Sequence, residues 1–207
     1  MRGCKMLMNE IKMPVQKRSI ERLEKVIQTT IELLETKTLA ECNIQEISQI
    51  SGVPRNHIYQ YFPTIDHLFS LIVNRYFQKL QSYLTHNAQI YMTWSVLDII
   101  QDALSKASTF YNQNKPASML ILGGPVNIEG FSLHEAVIEE ISKEFVKIFT
   151  QKENPLTLKK PDDITIMIEL IFALMKHSFY RNGYITEELQ QEALLICEAY
   201  LEKKTYI

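Results

Sequence analysis

Residues Ser51–Thr64 read SGVPRNHIYQYFPT and stand between two apolar helical patterns. Gly52 suits the left-handed turn that ends a helix. Pro54 suits the first turn of a new one, where a missing N–H costs little. Pro63 forbids that helix from continuing. A very short helix is therefore fenced in on both sides. Val53, Ile58 and Phe62 supply an inner apolar face. Arg55, Asn56, His57 and Gln60, with the hydroxyls of Tyr59 and Tyr61, supply an outer polar one. A helix that only filled a core would not need that outer row.

Upstream lies NIQEISQIS, where Asn43 and Glu46 have the spacing of a capping box. Ile44, Ile47 and Ile50 recur every three residues, which predicts one buried face. Before it, Ser19 is the expected N-cap of IERLEKVIQTTIELLE. Ile20, Leu23, Val26, Ile27, Thr30, Ile31 and Leu34 follow helical spacing there. Downstream, Thr64 is placed to cap IDHLFSLIVNRYFQKLQSYL, with Leu68, Leu71, Ile72, Tyr76, Leu80 and Leu84 on its apolar side. Two short helices joined by a Gly-containing turn and packed on a longer first helix make a helix-turn-helix. The DNA major groove admits one α-helix and presents a readable donor and acceptor pattern. The ring-and-hydroxyl build of Tyr59 and Tyr61 suits packing by the ring and hydrogen bonding to phosphate.

The rest of the chain also reads as helix. Segments are expected from about Thr93 to Asn112, from Pro116 to Gly123-Gly124-Pro125, and from a Ser132/Glu135 capping box to about Gln151. Two more run from Pro161-Asp162-Asp163 to Asn182-Gly183 and from Thr186 to about Lys203. There is no convincing alternating strand and no repeat. The fold class is all-α, with about nine helices. The expected division is an arm at 1–17, a helix-turn-helix domain at 18–64 and a helical body at 65–207, with 65–86 as the linking helix.

The 207 residues are 46% hydrophobic and 22% charged, within the range of globular proteins. Net charge is −2, but residues 1–80 carry 11 Lys+Arg against 8 Asp+Glu, and the remainder 11 against 16. A polyanion would meet the front of such a molecule. Three scattered cysteines, Cys4, Cys42 and Cys197, form neither a disulfide framework nor a zinc site, so a reducing cytoplasm is expected. The N-terminal residues have no apolar signal-peptide core. The apolar run Ile164–Met175 is too short to span a bilayer and contains Glu169. No Gly-rich phosphate loop, G-x-S-x-G, H-E-x-x-H or Glu-x-x-His pair is present, so the chain is not expected to be an enzyme or to hold a metal or cofactor.

The run NIQEISQISGVPRNHIYQYFPTIDHLF closely resembles the DNA-binding signature of the TetR (tetracycline-repressor-like) family. That signature has a capped helix, a Gly-Val turn, and Tyr-x-Tyr/His-Phe before a short loop. The resemblance is dense from Ser19 to about Leu71, and YRNGYITEELQQEALLICEAYL is similar to the family's closing helix pair. It implies that Arg55, Asn56, His57 and Gln60 lie on a recognition helix. It further implies that Tyr59 and Tyr61 touch phosphates, Gln45 reaches the groove edge, and Lys17 and Arg18 contact backbone. Two positions depart from the pattern: Ile65 stands where the family usually has Lys, and Thr38 where it has Gly.

The resemblance also implies a ligand-binding and dimerisation body, and a regulator, most simply a repressor, that clamps a palindromic operator as a homodimer and is released by a small apolar or amphipathic effector. An interaction protein that kept the fold but lost DNA contact is the alternative. Trp94, Phe110, Tyr111, Met119, Phe131, Phe149, Phe172, Met175 and His177 are candidates to line a pocket, with plain core as the competing reading. A four-helix seam between two chains is expected to use Ile164, Ile168, Ile171, Phe172 and Met175 of one helix, and Leu189, Ala193, Ile196 and Tyr200 of the other.

Overall fold

The computed structural model describes residues 16–85, 89–124, 128–160 and 162–205, with backbone only for 128–133. Nine helices carry the described chain: α1 (Lys17–Thr36), α2 (Ile44–Ser51), α3 (Arg55–Tyr61), α4 (Ile65–Thr85), α5 (Val96–Gln113), the short α6 (Lys115–Ala117), α7 (Ile128–Gln151), α8 (Asp163–Asn182) and α9 (Glu187–Lys204). A 3₁₀ turn covers Ile90–Met92, and α6 runs on into a π turn over Ser118–Leu122. Among the described residues the only bridge of β type is an isolated pairing of Leu158 with Thr205.

The chain divides into two compact units. One comprises residues up to 76 together with 115–134, and the other comprises 77–114 together with 135–207. The division expected at 64/65 falls instead within α4, and a second stretch of chain joins the first unit.

In the first unit, α1 buries Leu23, Val26, Ile27, Thr30, Leu33 and Leu34. The Thr30 hydroxyl is satisfied by donating to Val26 O at 2.7 Å. Helix α1 begins at Lys17 with Gln16 in the cap position, two residues before Ser19. No residue type in between stops it: Lys17 and Arg18 are good helix formers. Ile20 is 42% exposed because it sits at the edge of the apolar stripe. After α1, Thr38 N–H and Oγ1–H both donate to Glu41 Oε2, each at 2.8 Å. This turn uses no left-handed residue, so Thr is accommodated there without strain. Lys115 Nζ of α6 donates to Glu35 O at 2.5 Å and so satisfies a carbonyl in the last turn of α1. Pro116, Ala117, Ser118, Ile121 and Leu122 are buried.

In the second unit, Ser95 caps α5 by accepting from Asp98 N, and Thr186 caps α9 by accepting from Leu189 N. Gly183 ends α8 at φ 78°. Helix α9 packs on α5 and α8. Asn112 holds the α8–α9 turn with both ends of its amide: Nδ2 donates to Ile185 O at 2.8 Å and Oδ1 accepts from Ile185 N at 2.7 Å. Asp163 is buried but well served, accepting from Lys160 N (3.0 Å), Tyr200 Oη (3.3 Å) and Lys204 Nζ (3.4 Å). Helix α7 starts at Ile128, upstream of the Ser132/Glu135 box expected to begin it. Among the described residues no helix is long and apolar enough to cross a membrane.

Candidate nucleic-acid interface and body cavity

The helix-turn-helix head is built by local punctuation. Asn43 accepts from Glu46 N at 3.0 Å and sets the start of α2. The other arm of the expected box is diverted: both Glu46 carboxylate oxygens take Lys37 Nζ, at 2.6 and 2.7 Å. That ion pair ties the residue after α1 to the first turn of α2. Gly52 closes α2 at φ 69°, and its N–H donates to Ser48 O at 3.1 Å. Ser48 Oγ then donates to Val53 O at 2.8 Å, so the turn into α3 is held from both sides. Pro54 occupies the cap of α3, and Phe62 is its first residue beyond the end.

Ile58 and Phe62 are wholly buried, and Val53 nearly so. Each such side chain stabilises the head by about 1.5–3 kcal/mol through burial. They leave α3 no freedom to roll, so its other side must face solvent. Arg55, Asn56 and Gln60 are exposed there, Tyr59 is 50% exposed, and His57 and Tyr61 are half-buried. Gln45 on α2, and Lys17 and Arg18 at the head of α1, are exposed too. The third residue of the expected Ile44/Ile47/Ile50 row is not buried: Ile50 is 57% exposed. A three-residue step falls 60° short of a full helical turn, so by Ile50 the row has drifted off the core face.

The charge on this unit is partly neutralised within it. Arg75 makes a bidentate pair with Glu24, at 2.5 and 2.7 Å, which holds α4 against α1 and lowers the Glu24 pKa. Burial pushes the Cys42 thiol up to about 11, so it is an inert packing residue.

The second unit contains an apolar cavity of about 60 Å³, lined by residues that include Leu80, Leu104, Phe145, Phe149, Phe172 and Met175. No polar side chain is on its wall. Of the expected pocket residues, Phe149, Phe172 and Met175 line it. Trp94 lines a separate open recess with Asp98, Gln101, Asp102 and Ser105. Phe110 and Tyr111 are buried in edge-on aromatic packing; neither lines the cavity, though Tyr111 packs edge-on against Phe172 of its wall. Met119 belongs to the π turn of the first unit, His177 is exposed on α8, and the Phe131 side chain lies outside the described residues.

The residues expected to join two chains are mostly spent inside one. Ile164, Ile168, Phe172, Met175 and Ala193 are buried within the protomer, and Ile171, Leu189 and Tyr200 are half-buried. Only Ile196, at 36%, is exposed. The opposite face of α8 is bare, with Ile166, Leu170 and Tyr180, and on α9 Leu195 is exposed beside Ile196. The four-three-four-three spacing of Ile166, Leu170, Ala173, His177 and Tyr180 was the sequence signal for that stripe.

These features define a helix-turn-helix head with an all-helical body. No protein-family model and no curated relative matches the sequence. Solved structures do match. A TetR-family transcriptional regulator from Streptomyces coelicolor superposes with a TM-score of 0.67 at 14% identity, covering 88% of this chain and 99% of that one. A TetR regulator from Rhodococcus sp. RHA1 gives 0.66 at 18%, covering 89% and 97%. One from Haloarcula marismortui gives 0.66 at 13%, covering 90% and 99%. The chain has the fold of TetR-family transcriptional regulators over nearly its whole length.

Proposed function

We propose that this protein is a DNA-binding transcriptional regulator that acts in the cytoplasm as a homodimer on a palindromic operator. The observation that carries the reading is α3. Its inner face is sealed by Ile58 and Phe62, and its outer face shows hydrogen-bonding side chains to solvent. Arg55, Asn56, His57 and Gln60 enter the major groove. Gln45 reaches the groove edge, while Tyr59, Tyr61, Lys17 and Arg18 hold the flanking backbone, and phosphate contacts of this kind set register.

Two heads must be held about one helical turn of DNA (~34–36 Å) or a multiple apart to read an inverted repeat. The bare apolar stripe of α8 and α9 supports a dimer seam on Ile166, Leu170, Leu195 and Ile196. Repression relieved by a ligand is the simplest regulatory mode. The cavity of the second unit is the effector site, and its wall suits a small apolar molecule or the apolar part of an amphipathic one. A coupling of about 1–3 kcal/mol between effector and DNA would change affinity about 5–150-fold.

The test is a titration of purified protein onto DNA from around its own gene, followed by fluorescence anisotropy at several salt concentrations. Salt-dependent preference for an inverted repeat over scrambled DNA is expected. Equal affinity for both, unchanged by Arg55→Ala, would instead fit a helical interaction protein on the same fold.

A further inference from the structure

Two side-chain carbonyls on the outer row of α3 already have donors. Asn56 Oδ1 accepts from the backbone N–H of His57 at 3.0 Å. Gln60 Oε1 lies 3.3 Å from His57 Nδ1 and accepts from it in the tautomer that carries the ring proton there. Asn and Gln commonly read adenine with the whole amide edge: the oxygen accepts from N6–H while the nitrogen donates to N7. Here both oxygens are turned back onto His57, so each amide offers its NH₂ hydrogens outward. Arg55 has only donors. The row Arg55, Asn56 and Gln60 therefore meets DNA with donors.

Guanine is the base with two acceptors, N7 and O6, and no donor at its major-groove edge. We infer that α3 selects a half-site containing guanines, with Asn56 and Gln60 acting as donors rather than as adenine readers. In that tautomer His57 Nε2 is an acceptor, and the N4–H₂ of the cytosine in a G·C pair supplies its complement. The inference rests on the DNA-binding reading proposed above and adds the identity of the bases.

The experiment is selection by the full chain from a duplex pool with randomised inverted half-sites. Guanine is expected at about three positions per half-site, one each for Arg55, Asn56 and Gln60, since each bidentate or paired contact reads one base. Replacing each with 7-deazaguanine should weaken binding about 5–150-fold, the range of one good base contact. Gln60→Glu exchanges donors for acceptors and should move one position from guanine to cytosine, and Asn56→Asp should do the same at another. Enriched sites read through adenine N6, or a guanine preference that neither variant moves, would overturn the inference while leaving DNA binding intact. A pool in which nothing is enriched would sink both.

Discussion

Lys17 and Arg18 lie in the first turn of α1, which contains no acidic residue. That end of a helix carries partial positive charge, so two cations there oppose folding by a few tenths of a kcal/mol each. Their placement makes sense if they are held for an external anion. In a dimer the pair becomes four cations, each able to neutralise one phosphate. Counterion release then gives a contribution of about −3.6 to the slope of log K against log salt. The double variant Lys17→Gln/Arg18→Gln should flatten the measured slope by that amount. Between 50 and 200 mM salt, about 150-fold of affinity loss should disappear. The same variant should be as stable as the parent or slightly more so, because the unfavourable dipole contact has gone. Anisotropy titrations at four or five salt concentrations give the slope, and a thermal melt gives the stability. An unchanged slope would refute the placement of these residues at phosphates. A flattened slope with a collapsed melt would refute the electrostatic account.

Other outcomes follow from the fold. Leu170→Glu with Leu195→Glu should turn a dimer into helical monomers, read by light scattering and circular dichroism, because both side chains are exposed in the protomer and would face a partner. Burial, with Glu135 beside it, raises the Glu169 pKa above the usual carboxylate value of 4.5, against the pull of Lys176. Ionised Glu169 therefore costs stability that is absent below pH about 4.5 and grows as pH rises through the raised value. Glu169→Gln should accordingly be more stable than the parent at neutral pH and equal to it in acid, as shown by melts across pH. Gly52→Ala should cost about 1–2 kcal/mol, the penalty of a left-handed conformation for a residue with a Cβ. No atom lies within 4 Å of the added carbon, so a larger loss in urea unfolding would mean a clash not seen here.

The head was legible because its instructions are local. Asn43, Gly52, Pro54 and Pro63 each act within a few residues, and each shapes the backbone where it was expected to. Glu46 was half right, since a lysine nine positions earlier in the chain competes for its carboxylate. The body was legible as helices but not as faces. Helix α8 is apolar on two sides, and periodicity alone cannot say which side meets its own chain. Of the residues expected at a seam, all but Ile196 are buried or half-buried within the protomer, and the bare stripe of α8 lies on its other side. The pocket was no easier to read: large aromatic side chains fill a core and line a cavity with equal ease, and three of those named lie on the wall of the apolar cavity.

The lysine bond to Glu35 has a consequence for how this protein can be cut and recombined. Because α6 and the π turn belong to the first unit, its core is finished only after the chain has left for the second and come back. A fragment ending near residue 76 would lack Pro116, Ala117, Ile121 and Leu122 and would leave the end of α1 short of a donor. Such a fragment should behave as an incomplete body prone to clumping, and a chimera that transplants the first unit onto another helical body must graft both pieces, not one.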